Sequence, residues 1–499
     1  MILMSGMFIE NSKIYNAGAN SMDKTKKTVL ISIGWSALGE LASKVLPPLF
    51  YIITARLLTP EDFGLVATSS MVIAFASILW EAGLSKALIQ NQVLDVNKMA
   101  NIVFYTNIFL SLLIYIILFF SSNIIAALFS DARVSEVIRV SGLSLIIGSL
   151  MSVQTALLQR EFKFKAIFYI RFIGSIIPGI ISVLLAYYGY GYWSLVYGSI
   201  VSMIMQTVIL WKISDWRPSI NYDVQIAEQM FHFSKWVLLS ELLSWFFIWG
   251  DIFVLGVFFN SHEIGLYRTG NYFVGSVIGL VTTPIVPVMY SYFSKIQHDK
   301  ESVKNILLLS SKLVSFLVLP IGVGLYIVQN PLSDLIFGEK WVGIAPVIGY
   351  LSLTHAISWI VSLNPEAYKA IGRPDIETKI FLISVPVYFI IYILASKISF
   401  LFFIESRFVL VFFGVLIHLY FMKNFLKITY FEFVRNIKSI LTIVIVTILF
   451  KEIFDGLNLF RFNNSLFFLF ILLSLPLIFL ILIEKKFVHY VIKIVKEKR

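Results

Sequence analysis

The sequence contains no cysteine. Disulfides, thiol nucleophiles and cysteine-held metals are therefore excluded, whatever the compartment. Charge is scarce too. Asp, Glu, Lys and Arg make up 14% of the 499 residues, whereas a soluble domain carries about 25% because its surface must face water. Most side chains must then meet hydrocarbon or one another, which excludes a soluble multi-domain protein. Neither a glycine-rich phosphate loop for ATP nor an HExxH zinc motif occurs. No connection between apolar segments exceeds about 25 residues, so there is no room for a soluble catalytic domain. Residues 1–27 have no continuous apolar core ending in a small-residue cleavage site, and they carry Lys24, Lys26 and Lys27. They read as a retained cytoplasmic tail rather than a signal peptide.

What is abundant is apolar and aromatic. The chain is 58% hydrophobic with a mean hydropathy of +0.86, and its 45 Phe, 23 Tyr and 10 Trp suit a lipid-facing surface with aromatic belts. A helix needs about 20 apolar residues to cross the hydrocarbon. Spans are read near 28–55, 64–85, 99–121, 137–158, 166–188, 191–211, 234–259, 264–293, 306–329, 343–368, 378–396, 400–422, 436–454 and 465–483, about fourteen in all. With the connections numbered alternately, and residues near span ends such as Arg139, Arg268 and Arg407 counted with the adjoining connection, 28 of the 40 Lys and Arg fall on one side and 9 on the other, leaving Lys44, Arg171 and Lys312 within spans. Cytoplasmic connections hold the basic residues. Both termini are therefore expected in the cytoplasm, and the net charge of +11 reports membrane topology rather than nucleic-acid binding.

An internal repeat organises the spans. Gly39-Glu40-Leu41-Ala42-Ser43 leads to Gly64-Leu65 as Ser240-Glu241-Leu242-Leu243-Ser244 leads to Gly265-Leu266, at one offset of 201. The basic connections at Gln159-Arg160-Glu161-Phe162-Lys163 and Lys369-Ala370-Ile371-Gly372-Arg373 lie about 210 apart. Units six helices apart share an orientation, so these are parallel repeats, whose substrate site lies at the repeat interface. The expected fold is all-α and polytopic. It comprises a tail (1–27), a first six-helix bundle (28–214), a cytoplasmic linker (215–233), a second bundle (234–423), two additional helices (424–484) and a basic tail (485–499).

Ionisable residues inside spans are costly, by about 2.5–3.5 kcal/mol on insertion scales, and usually face a polar cavity. Ser36, Glu40, Ser43, Lys44 and Pro47 share one helical face, as do Glu241, Ser244 and Asp251. Glu40 and Lys44 form an i,i+4 pair. Arg268, Asn271, Gly275, Gly279 and Thr282 make a small and polar stripe in the eighth span. These faces predict a hydrophilic hollow lined by spans 1, 2, 7 and 8; tight helix packing and mutual neutralisation are the competing explanation. Lys44 and Arg171 are candidates for an anionic headgroup, with Arg268 and Asn271 beside them as substrate-binding candidates. Arg171 lies two turns beyond the basic connection at 160–165, so snorkelling to the surface competes with cavity lining. Glu81 and Lys86 read as boundary residues, and His355 as a packed or hydrogen-bonded helix residue. Prolines at 47, 48, 178, 284, 287, 320 and 386 favour kinks.

The run Thr54-Ala55-Arg56-Leu57-Leu58-Thr59-Pro60-Glu61-Asp62-Phe63-Gly64-Leu65 resembles the first periplasmic turn of the polysaccharide-transport family. Gly83-Leu84-Ser85-Lys86-Ala87-Leu88-Ile89-Gln90, Gln159-Arg160-Glu161-Phe162 and Gly372-Arg373-Pro374-Asp375 fit the same pattern. These are Wzx-type flippases, in the superfamily that also holds multidrug-and-toxin exporters and lipid II flippases. The resemblance implies two six-helix bundles in a V, with two further helices. It implies translocation of an undecaprenyl-pyrophosphate-linked oligosaccharide across the bacterial inner membrane by alternating access, for O-antigen, capsule or exopolysaccharide synthesis. A non-enzyme is expected, with no cofactor and no nucleic-acid partner; its partners would be the lipid-linked substrate, membrane lipids, and a polysaccharide polymerase and chain-length regulator. Glu40, Glu241 and Asp251 are candidate sites for coupling to an H⁺ or Na⁺ gradient. Two alternatives stand beside this reading. One is a cation-coupled drug exporter of the same superfamily, whose cavity should be net acidic. The other is a membrane polysaccharide polymerase or ligase, against which the short outer loops count.

Overall fold

The structure is a computed structural model and describes residues 45–456 apart from positions 82 and 92. Among the described residues, eleven helices are long and apolar enough to cross a membrane, or twelve if one bent pair counts as a single span. The expected span at 465–483, both tails, Glu40 and Lys44 lie outside the described residues.

The first lobe holds α1 (Val45–Leu57), α2 (Pro60–Glu81), α3 (Leu84–Gln90), α4 (Val96–Leu128), α5 (Arg133–Ser141), α6 (Leu143–Arg160), α7 (Phe164–Tyr187) and α8 (Trp193–Ile213). The second lobe holds α9 (Val224–Phe258), α10 (Ser261–Thr282), α11 (Ile285–Lys295), α12 (Lys300–Ile327), α13 (Gln329–Ile336), α14 (Ile344–Ser358), α15 (Asn364–Ala370), α16 (Asp375–Ser396) and α17 (Phe400–Leu426). A further helix, α18 (Tyr430–Gly456), packs on α12 through Val444 and Ile448. The spans alternate in direction. The connections at 91–95, 161–163, 214–223, 296–299, 371–374 and 427–429 therefore share one side. This is the basic side of the sequence reading; the other is called the counter side.

The two lobes are related by the repeat. On the counter side the first turns of α2 and α10 touch backbone to backbone. A Cβ added to Gly64 would lie 1.7 Å from the Ser261 carbonyl oxygen, and one added to Gly265 would lie 1.8 Å from that of Pro60. Pro60 and Ser261, like Gly64 and Gly265, stand 201 positions apart, so each residue meets its own repeat counterpart, as in an isologous contact. Glycine is required here because any side chain would part the helices. The same relation extends outward. Trp341 donates its indole N–H to the Ala55 carbonyl at 2.7 Å, and Phe129 sits against Gly256, the counterpart of Ala55.

Two expectations are corrected. The linker read as 215–233 ends at Asp223, whose carboxylate caps α9 by accepting from the Gln225 and Ile226 amides. α9 then runs unbroken for 35 residues, about 52 Å at 1.5 Å per residue. Its first turns belong to the first lobe, because Ala227 and Met230 are buried with Leu84, Leu88, Met99 and Val103. The preceding residues are also pinned there. Asn101 exchanges two hydrogen bonds with Ser219, at 2.8 and 3.0 Å, and Lys98 reaches Asp223 at 3.3 Å. The eighth span, read as one segment over 264–293, is two helices, α10 and α11, bent by 45°. The break falls at Thr283-Pro284, where the proline ring and missing N–H interrupt the helix. Pro178, Pro320 and Pro386 lie inside continuous helices.

Candidate functional site

The two lobes are sealed together at their counter-side ends. Besides the α2–α10 backbone contact, His262 Nδ1 meets Glu61 Oε1 at 2.7 Å, another pair 201 residues apart. Ser261 donates to Asp131 Oδ2 at 2.6 Å. Partial burial pushes the Asp131 carboxyl up, but hydrogen bonds from Arg133 and Ser261 outweigh it and hold the group below the ordinary carboxylate range. Arg56 donates to the carbonyls of Leu335 and Ile336, and Lys340 donates to that of Leu57 at 2.9 Å. These contacts tie the two lobes together across one end.

Away from the seal, α10 opens. Ile264, Gly265, Leu266 and Tyr267 are buried, Arg268, Asn271, Tyr272, Gly275 and Gly279 are half-buried, and Val288, Tyr290 and Tyr292 of α11 are exposed. A Cβ at Gly275 would meet only His355 Cε1, and one at Gly279 only Thr283 Oγ1, each at 3.7 Å. The stripe predicted from helical spacing is therefore accessible, apart from Thr282, which is buried and donates to the Ile278 carbonyl. The Arg268 guanidinium lies over the Trp249 ring, 4.7 Å from its centroid, and forms no ion pair among the described residues. Asn271 Oδ1 lies 2.8 Å from His355 Nε2. Tyr51 of α1 shares a 2.9 Å hydrogen bond with Thr269 and packs on the Tyr272 ring, which brings α1 to the same wall.

The other candidates fall elsewhere. Glu241 is bonded to Lys86 of α3, with both side chains about half exposed. This pair bridges the lobes near the basic side and moves Lys86 from a boundary role to an inter-lobe one. Asp251 does not share the accessible face that its spacing with Glu241 and Ser244 suggested. Its carboxylate turns into the second lobe, where it accepts from Arg407 at 2.9 Å and from Tyr267 at 2.7 Å. Arg407 also donates to Tyr267 and, at 2.9 Å, to Tyr392. One guanidinium thus joins α9, α10, α16 and α17. The basic-residue count had assigned Arg407 to the short connection before α17, but it lies two turns inside that helix. Its position as the one cation in the run from Phe400 to Met422 was the available signal. Arg171 is exposed, two turns into α7.

Such a site can do particular chemistry. An accessible guanidinium with no ion-pair partner among the described residues attracts anions, and it can hold phosphate oxygens in two parallel hydrogen bonds. No group of three or more His, Asp or Glu among the described residues could hold a metal.

The comparisons agree with this architecture. A family profile described as "Polysaccharide biosynthesis protein" matches residues 53–346. The succinoglycan biosynthesis transport protein ExoT of Rhizobium meliloti (strain 1021) is 27% identical over 347 residues, 70% of each chain. The lipopolysaccharide biosynthesis protein WzxC of Escherichia coli (strain K12) is 22% identical over 352 residues, covering 69% of this chain and 70% of its own. Among solved structures, the lipid II flippase MurJ in an inward closed conformation superposes with a TM-score of 0.72 at 16% identity, over 92% of this chain and 99% of MurJ. With a MurJ-like fold, two lobes that meet through their own repeat and a profile match over more than half its length, this chain belongs to the polysaccharide biosynthesis protein family of multi-pass membrane proteins.

Proposed function

We propose that this protein is a flippase for undecaprenyl-pyrophosphate-linked oligosaccharide repeat units. It carries them from the cytoplasmic to the periplasmic leaflet of the bacterial inner membrane for surface polysaccharide assembly. The observation that carries this reading is the accessible stripe of Arg268 and Asn271 on α10, beside a counter side sealed by reciprocal glycine turns; a hollow opening towards the basic side is read from it. With the basic side facing the cytoplasm, the protein is in the state that receives substrate from the inner leaflet. Arg268 supplies the counter-charge for pyrophosphate, and the wet wall receives sugars that hydrocarbon would reject. The two lobes then rock about the substrate, so that the seal opens and the opposite side closes.

No bond is made or broken, so the protein needs binding groups rather than a catalytic constellation. Energy comes from an ion gradient or from removal of the product by a downstream polymerase. Glu241 is the described carboxylate best placed for coupling, because its pairing with Lys86 joins the lobes and must change as they move. Asp251, bound on two sides by Arg407 and Tyr267, serves the second lobe's integrity instead. A cation-selective drug exporter fits less well, since Arg268 has no ion-pair partner among the described residues. Deleting the gene should make lipid-linked repeat units accumulate on the cytoplasmic leaflet, and Arg268→Ala should fail to relieve that block. Unchanged surface polysaccharide in the deletion strain, with no redundant carrier present, would overturn the assignment.

A further inference from the structure

The segment Ile344–Ala370 is the most deeply buried of the candidate spans, yet one face of it is accessible. His355 and Trp359 are half-buried, Ser358 is exposed, and Ser362 is half-buried. α14 ends at Ser358 and a short 3-10 turn, Trp359–Val361, continues it; the spacing of three and four residues keeps the four on one side. That side continues the face that packs against α10 nearer the seal, where Val347 and Ile348 meet Gly270. It is accessible from His355 to Ser362. The His355–Asn271 contact fixes it beside the Arg268 stripe. A polar face on the most buried span, bonded to the Arg268 stripe of α10, suits a water-filled interior better than lipid.

The chemistry of this face differs from that of Arg268. Between Ile344 and Tyr368 there is no Lys or Arg. The first cation below it, Lys369, is engaged by Glu366 and Glu377 at 3.4 and 3.1 Å. The Ser358 hydroxyl donates to the His355 carbonyl at 2.7 Å, and that of Ser362 to the Trp359 carbonyl at 2.9 Å. Each hydroxyl hydrogen is therefore committed to the helix, and each oxygen keeps lone pairs for an outside donor. Trp359 sits between them with a large ring and an N–H donor. Acceptor oxygens flanking an indole, with no cation on the segment itself and the neighbouring Arg407 engaged by Asp251, suit a neutral polyhydroxylated ring: sugar hydroxyls donate to the serines while the C–H face of the ring lies on the indole. From His355 to Ser362 the face runs about 10 Å along the helix, room for more than one pyranose.

We propose that His355, Ser358, Trp359 and Ser362 form a carbohydrate-binding wall that holds the uncharged part of the substrate, distinct from the anion position at Arg268. This deepens the flippase reading and rests on it. The test uses the full-length protein in proteoliposomes with two probes: the lipid-linked repeat unit isolated from the deletion strain, and undecaprenyl pyrophosphate without sugar. Trp359→Ala should weaken binding of the repeat-unit lipid about tenfold, the scale of a lost aromatic contact, and leave undecaprenyl pyrophosphate binding unchanged. Trp359→Phe should retain most of the affinity, and Arg268→Ala should weaken both lipids. If alanine prevents folding, Trp359→Leu keeps the apolar packing without the ring face and should give the same split. Equal loss for both lipids in Trp359→Ala or Trp359→Leu, or no loss for either, overturns the wall while leaving the flippase reading intact. Failure of the unaltered protein to bind either lipid overturns both.

Discussion

Arg407 and Asp251 show how a buried charge acquires its meaning from a partner distant in sequence. Asp251 is buried and Arg407 half-buried, and the guanidinium donates to Asp251, Tyr267 and Tyr392. Removing one member of a buried ion pair leaves the other uncompensated, which typically costs about 3–5 kcal/mol. Arg407→Ala and Asp251→Ala should each lower the thermal unfolding midpoint of the detergent-solubilised protein by a similar, large amount. The double substitution should be far less harmful than the two losses added together. Additive losses would mean that the pair does not interact as described. The sequence made Asp251 conspicuous as a charge inside a span, but it could not show which way the carboxylate turns. Helical spacing gives a shared face, whereas neighbours decide whether that face meets water or an arginine. The accessibility of Arg268 and Asn271 was legible for the converse reason: the small residues Gly275 and Gly279 on the same face leave the space that keeps it open.

At the scale of helices, the offset of 201 proved more informative than the length of any apolar run. It pairs Pro60 with Ser261, Glu61 with His262 and Gly64 with Gly265, and these pairs form the seal. Gly64→Ala and Gly265→Ala are therefore expected to act alike, since each methyl would overlap a carbonyl oxygen of the other helix. Overpacking of this kind costs about 1–3 kcal/mol. It should move spin labels at positions 61 and 262 apart; unchanged distances in both variants would contradict the reciprocal contact. Helix continuity was harder to read. The stretch 224–233 is amphipathic and looked like part of a linker, but Ala227 and Met230 bury themselves in the first lobe and let α9 start at Val224. Periodicity marks an amphipathic helix without saying what covers its apolar face. The α10–α11 break, by contrast, was signalled by Pro284 itself.

Across the whole molecule, the lobes are joined at two levels. The counter side is held by backbone contact and by Trp341, Asp131 and the Glu61–His262 pair. The basic side is bridged by Lys86–Glu241, a half-exposed ion pair of the kind typically worth about 0–1 kcal/mol. α9, which starts in the first lobe and ends in the second, links the two levels. Rocking must separate the first set of contacts, and it cannot proceed if they are tied. Because the native chain has no cysteine, a single pair can be introduced without background. The decisive measurement is repeat-unit translocation in proteoliposomes by the Glu61→Cys/His262→Cys protein, before and after a short thiol-to-thiol cross-linker. Cross-linking should abolish translocation while leaving substrate binding from the basic side intact, and a cleavable linker should restore transport on reduction. Full translocation with the cross-link in place would contradict alternating access through this seal.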